Sequence, residues 1–156
     1  GTRPVLVEIQ GLCVTTAFAH PKRTTLGVDA TRISLLAAVL ERSTGLSLAG
    51  QDLFINVAGG VSLSEPAADL PVILAIASSM QNRVLPADMI AVGEVGLSGE
   101  IRGVPRMEAR LQEAAKMGFK QVLLPKTSAQ KVEVPQSIEL LPVATLEEAL
   151  NLVGAQ

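Results

Sequence analysis

Apolar residues recur along this chain with two different periods, and the irregular order in which those periods alternate narrows the fold more than any single motif. Strand spacing runs through Val5-Leu6-Val7-Glu8-Ile9, with Leu12-Cys13-Val14 continuing it or opening a partner strand after Gly11, and returns in Thr24 to Val28 and Leu53 to Val57. It appears again in Gln121 to Leu124, closed by Pro125, and in Ile138 to Leu141. Ile90 to Val95 and Leu97 to Ile101, joined at Gly96, predict a hairpin. Helical spacing is carried by Ile33, Leu36, Ala37 and Leu40, with Asp29 in capping position and Gly45 as the stop. A second helix is expected from Glu65-Pro66 through Leu74 to Met80, since proline is tolerated in a first turn, although Pro71 complicates that turn. Pro105 opens a third, with Met107, Leu111, Ala114 and Ala115 inward and Gly118 ending it. Thr145-x-x-Glu148 is a capping-box signature for a last short helix to Val153. Strands and helices mix without a regular βα repeat, so the expected class is α+β rather than a doubly wound sheet.

With 156 residues, 48% of them apolar, the chain can bury one substantial core, and a single domain spanning 1–156 is expected. A formal charge of −2 excludes bulk attraction to nucleic acid, so any such contact must come from a local patch. Cys13 has no partner for an internal disulfide, and with His20 as the sole histidine the two fall short of a tetrahedral zinc site. No glycine-rich loop ending in Lys-Ser or Lys-Thr is present to cradle a phosphate. Neither metal nor nucleotide cofactor is therefore expected. No apolar run approaches the roughly 20 residues of a membrane span, and no signal-peptide order precedes the first strand, which points to a soluble cytoplasmic protein with no membrane partner. Gly1-Thr2-Arg3-Pro4 lacks a methionine and enters a strand pattern directly, as expected of a piece of a longer protein.

Nucleophilic chemistry finds little support. A Ser-His-Asp triad would need His20, which stands before a proline in a loop and reads more simply as an exposed loop histidine. Gly93-x-x-Gly96 and Gly99-x-x-x-Gly103 read as turn glycines. Gly96-Leu97-Ser98-Gly99-Glu100 departs from a nucleophile elbow at its last position and lies in the hairpin, which leaves Ser98 a turn residue. A Ser-Lys dyad stays open, because a desolvated lysine can activate serine without histidine.

Three stretches carry a resemblance that covers nearly the whole chain: Gly27-x-Asp29-x-x-Arg32, Asn56-Val57-Ala58-Gly59-Gly60 running to Glu65-Pro66-Ala67-Ala68-Asp69-Leu70, and Gly93-Glu94-Val95-Gly96-Leu97-Ser98-Gly99-Glu100-Ile101-Arg102. Together they resemble the C-terminal domain of the bacterial RadA family, also called Sms. That domain is itself similar to the proteolytic domain of Lon, which implies an α+β fold of the ribosomal protein S5 domain 2-like kind. In Lon a serine within Gly-Pro-Ser-Ala-Gly opens a helix, and a lysine on a later helix activates it. Laid on this sequence, the serine position falls on Ala67 and the lysine position on Glu108. Alanine has no nucleophilic atom and a carboxylate cannot replace the lysine, so the resemblance implies a degenerate site without peptidase activity. It also implies a longer parent, with a zinc-binding segment and a RecA-like ATPase core upstream, that migrates branched recombination intermediates in DNA repair as a homo-oligomeric ring, a hexamer. Two other readings stand beside it. One is a peptidase with its nucleophile moved to Ser62 or Ser64 and Lys116 or Lys120 as base. The other is the N-terminal domain of a magnesium-chelatase-like ATPase, which has a similar fold and a related string to Asp69-Leu70-Pro71.

DNA is the expected partner besides a second copy of the chain. Arg102, Arg106 and Arg110 are spaced four apart across the start of the Pro105 helix and could present a basic stripe to phosphates. Lys22-Arg23, in a surface loop, is a second candidate. The competing reading is ordinary solvated charge, balanced by Glu100, Glu108 and Glu113. Three phenylalanines and no Trp or Tyr give little means of stacking single-stranded bases, so phosphate contact with duplex is favoured. Leu35, Val39 and Leu40 are expected in the core or at a subunit interface.

Overall fold

A computed structural model of the chain describes residues 9–16, 21–57 and 65–154. His20, Ser62, Ser64 and Gly59-Gly60 lie outside the described residues. The first sheet has the order β1-β3-β2, with β1 (Ile9–Thr15) antiparallel and β2 (Arg23–Leu26) parallel to the central β3 (Gln51–Val57). Helix α1 (Ala30–Thr44) connects β2 to β3. Its predicted face is the buried one, since Ile33, Leu36, Ala37, Val39 and Leu40 are all in the core, while Leu35 is 38% exposed. Gly45 ends it as expected, in the left-handed region at φ 75°, with its N–H donating to the Glu41 carbonyl. Asp29 stands at the N-cap but makes no side-chain capping bond.

The helix expected from Pro66 starts instead as a short 3-10 turn, Pro66–Ala68, and becomes α2 (Asp69–Met80) one residue later. Pro71 fits because the first-turn N–H groups of a helix have no intrahelical partner to lose. Helix α2 packs on the inner face of the first sheet so closely that a Cβ added at Gly11 of β1 would lie 3.2 Å from the backbone and Cβ of Ala75.

The second half departs from the expected layout in two places. Ile90 to Val95 is not one strand but two pieces, β4 (Met89–Ala91) and β5 (Glu94–Val95), because the backbone between them serves another element. The Gly93 N–H donates to the Ala67 carbonyl at 2.9 Å and the Gly93 carbonyl accepts from Leu70 N at 3.0 Å. The hairpin arms are thus short, β5 against β6 (Ile101–Arg102). Secondly, β4, β7 (Gln121–Pro125) and β8 (Glu139–Val143) form a wholly parallel sheet in the order β4-β7-β8. Its connections run through α3 (Met107–Lys116) and the four-residue α4 (Lys126–Ala129), the latter too short to show a helical period in the sequence.

Central strand β7 explains how the two halves share one body. Its run Val122-Leu123-Leu124 is buried throughout, with Leu123 in a core built by α1, α2 and α5 (Leu146–Leu152), and Val122 and Leu124 in a second core under α3. A parallel strand covered on both faces reads as a continuous apolar run rather than an alternation. The last helix forms one half of the expected capping box, with Thr145 Oγ1 accepting from Glu148 N at 3.2 Å, while the Glu148 carboxylate reaches the N–H of Ala144, one residue before the cap, at 3.4 Å.

Close contact between β1 and α2 generates a test. Gly11→Ala places a methyl against backbone atoms that cannot swing aside, and is expected to lower stability in urea unfolding by about 1–3 kcal/mol. An unchanged midpoint would mean that β1 sits further from α2 than described.

Candidate functional site

The three motif stretches, far apart in sequence, meet at one place. Arg32, near the start of α1, donates from Nε to Asp69 Oδ1 at 3.0 Å and closes a second, shorter bond from its terminal nitrogen to Asp69 Oδ2. Asp69 is 2% exposed, and its Oδ2 also accepts from Val95 N at 3.1 Å. One carboxylate therefore grips α1 with one set of bonds and the β5 hairpin with another. Bidentate pairing of this kind is the strong form of an arginine–carboxylate contact, and it raises the Arg32 pKa above the usual arginine range. The two Gly93 bonds to Ala67 and Leu70 fix the same segment from its other side.

Beside this clasp lies an open cleft of about 600 Å³, into which Asp29, Arg32, Glu65, Asp69 and Glu94 contribute. Its described lining holds carboxylates, one guanidinium already committed to Asp69, and aliphatic groups, without a serine, threonine, cysteine, histidine or lysine. Ala67, at the expected serine position, is 4% exposed, and its carbonyl is taken by Gly93 N. Glu108 is exposed on α3 and its carboxylate accepts from Glu133 N at 3.3 Å, tying the helix to the loop before β8. Lys116 and Lys120 are exposed at and beyond the end of α3. Ser98 is exposed in the hairpin turn, with its N–H donating to the Glu100 carboxylate. The Cys13 thiol is half-buried and bonded to the Ile76 carbonyl at 3.6 Å, and burial pushes its pKa up, so it is no ready thiolate. Among the described residues no group of three or more His, Cys, Asp and Glu side chains could hold a metal ion. No described helix is long and apolar enough to cross a membrane.

The basic residues do not form the expected stripe. Helix α3 begins at Met107, so Arg102 on β6 and Arg106 precede it, and their four-residue spacing confers no common helical face. Arg106 occupies the left-handed region at φ 62° and is exposed. Arg102 is exposed and pairs with Glu100 at 3.0 Å. Arg110 instead shares the buried face of α3 with Met107, Leu111 and Ala114, the residues at i−3, i+1 and i+4. It is 4% exposed, donates from Nε to the Pro105 carbonyl at 3.0 Å and forms an ion pair with Glu65. Burial is the main cause that lowers its pKa, opposed by the charge of Glu113. Lys22 is exposed, and its backbone N–H donates to Asp52 Oδ1 at 2.8 Å, the main reason the Asp52 pKa lies below the usual carboxylate range. Arg23 turns back onto the carbonyls of Gln51 at 2.6 Å and Leu48 at 3.3 Å, where it closes the entry to β3. The Arg32–Asp69 and Arg110–Glu65 pairs escaped the sequence reading, although all four residues lie in or near stretches it singled out.

Residues 27–128 match the family described as subunit ChlI of Mg-chelatase. Over 152 residues, 97% of this chain, it is 48% identical to DNA repair protein RadA of Halalkalibacterium halodurans, covering 33% of that protein. The Bacillus subtilis protein of the same name is 50% identical over 152 residues, 97% of this chain and 33% of that protein. For the Streptococcus pneumoniae protein the figures are 48% over 155 residues, 99% and 37%. The chain thus spans about a third of the length of these curated relatives.

The clasp is open to a direct test. Asp69→Ala leaves the Arg32 guanidinium and the Val95 N–H without their shared acceptor, and is expected to destabilise the chain by about 1–3 kcal/mol in urea unfolding. Adding Arg32→Ala to that variant is expected to cost less than Arg32→Ala does alone, because the pair acts as a unit. Full additivity would contradict the clasp.

Proposed function

The chain belongs to the family described as subunit ChlI of Mg-chelatase, in the form carried by DNA repair protein RadA, and from that premise we propose that it is a non-catalytic domain for assembly and DNA contact. The observation that carries this reading is at Ala67, the expected serine position, which is buried with its carbonyl taken by Gly93 N. The mixed α/β order with its short hairpin supports a Lon-like, ribosomal protein S5 domain 2-like arrangement in which the catalytic pair has been replaced by Ala67 and Glu108. In this reading the parent is a DNA-dependent ATPase that migrates branched intermediates as a hexameric ring, with zinc-binding and RecA-like parts outside this chain. The domain itself takes no cofactor.

Of the two other readings, a magnesium-chelatase-like ATPase fits the family match over 27–128 equally well, but identity to RadA proteins of 48–50% extends over 97–99% of the chain and favours the first. A moved nucleophile would use Ser62 or Ser64, which precede Glu65. The Lys116 proposed as base stands on α3 about 9 Å along the axis beyond Arg110, the residue that meets Glu65. The intact chain is expected to give no serine adduct with a fluorophosphonate or peptide boronate in mass spectrometry, and an acylated Ser62 or Ser64 would overturn the non-catalytic reading.

For DNA, the contact set in this reading is the exposed Arg102, Arg106 and Lys22, because Arg23 and Arg110 spend their guanidinium groups on internal acceptors. Contacts of this kind neutralise phosphates and release condensed counterions, so binding is indifferent to sequence and weakens steeply with salt. Arg102→Ala and Arg106→Ala are each expected to lower the slope of log affinity against log salt by about one unit without creating base preference. Arg110→Ala is expected to lower stability and leave the slope alone. A slope that falls only with Arg110→Ala would place the contact on the wrong face.

A further inference from the structure

Buried polar atoms without a partner are rare in folded proteins, and each one calls for a reason. Among the described residues a single buried side-chain atom lacks a hydrogen-bond partner, the amide oxygen Oε1 of Gln81. Gln81 is the C-cap of α2 and lines a hollow of about 370 Å³ where three helices meet. Ser43 and Thr44, the last two residues of α1, line it from one side, and Glu147 and Asn151 of α5 from another. Two of these groups are already engaged. Thr44 Oγ1 donates to the Leu40 carbonyl at 2.6 Å and accepts from Leu46 N at 3.1 Å. Ser43 Oγ is turned to the β5–β6 hairpin, 2.9 Å from where a Gly99 Cβ would stand. The groups left to a guest are Gln81, Glu147 and Asn151.

Charge in the hollow has one sign. Helices α1 and α2, of 15 and 12 residues, both end there, and the C-terminal end of a helix carries partial negative charge on carbonyls that have no intrahelical donor. Glu147 adds a carboxylate, and no lysine, arginine or histidine lines the hollow. The cations beside it in sequence are directed elsewhere. Arg83 donates to the Gly154 carbonyl, and Arg42, in the last turn of α1, is exposed and outside the lining.

We propose that this hollow binds a guanidinium group on an aliphatic stem, with Gln81 Oε1 and the Glu147 carboxylate as its acceptors. Such a guest supplies what the lining lacks, a positive charge together with several N–H donors. Acceptors on two different helices suit the planar five-donor fan of a guanidinium better than the compact, strongly hydrated ammonium of a lysine. The last torsion of a glutamine is broad, so a turn about it brings Oε1 to the guest without moving α2. Leu46 and Leu150, also in the lining, give the methylenes of the stem an apolar surface. None of these residues belongs to the cleft at Asp69, and the site is independent of the assembly and DNA readings.

Nuclear magnetic resonance of the isotope-labelled intact chain tests the assignment, by titration with N-acetyl-arginine amide, free arginine and N-acetyl-lysine amide. Saturable shifts are expected at the Gln81 side-chain amide and at the backbone amides of 43–46, 77–81 and 147–151, with the arginine amide binding more tightly than the lysine amide. Free arginine is expected to bind more weakly than the blocked form, because its α-carboxylate meets Glu147 and the negative helix ends; the reverse order keeps the site and makes its guest a small molecule rather than a protein side chain. Glu147→Gln is expected to weaken binding about tenfold, the loss of one charged hydrogen bond. Gln81→Leu is expected to weaken it at least as much while leaving the urea midpoint equal or higher, because it removes a buried acceptor that has no partner. A midpoint lowered by Gln81→Leu would show that Oε1 is already satisfied within the fold, and would overturn the proposal. So would the absence of any saturable shift with the arginine amide, equal binding of the lysine amide, or wild-type binding by either variant.

Discussion

Everything at the candidate site depends on one carboxylate. Asp69 is almost wholly removed from water, and an ionised carboxylate in such a place is tolerated only when its oxygens are paired and hydrogen-bonded. Here Arg32 and Val95 N do that work together, and in doing so they join α1, the start of α2 and the β5 hairpin. Glu65, at the head of the same segment, is tied by Arg110 to α3. The segment from Glu65 to Leu70 is thus a junction, bonded to α1, to α3, to β5 and to Gly93.

That arrangement gives the motif residues a physical reason that is not chemical. Arg32, Asp69 and Gly93 hold parts of the fold together, and Arg32 and Asp69 border a cleft whose described lining is carboxylate, guanidinium and aliphatic. Exposed at the surface are the arginines at the hairpin and before α3, Arg102 and Arg106.

Much of the fold was legible because local signals agreed with the tertiary outcome. The α1 face from Ile33 to Leu40, the stop at Gly45 and the cap at Thr145 each rest on short-range physics that the rest of the chain does not override. Illegible features depended on distant partners. Nothing local to Ile90–Val95 says that Gly93 will bond Ala67 and Leu70, and so split the run into two strands. The parallel sheet was hidden because α4 has only four residues and because β7, covered on both faces, shows no alternation. At the site, the spacing of Arg102, Arg106 and Arg110 suggested a shared face. The helix starts too late to include the first two, and the apolar pattern of Met107, Leu111 and Ala114 draws Arg110 inward. The arginine that matters most to the clasp, Arg32, was in plain view within the first motif, but its partner lies 37 residues away.

The central claim is that the three motif stretches form one bonded unit, as stable as the core, rather than a mobile site. Native-state hydrogen exchange at the Val95, Gly93 and Leu70 amides measures this directly, since local opening and global unfolding give different free energies for the same amide. The account requires these three amides to exchange only through global unfolding, with the same free energy as the amides of α2 and β7. Exchange of Val95 through a local opening well below that value would show that Asp69 does not hold the hairpin, and the clasp would have to be given up.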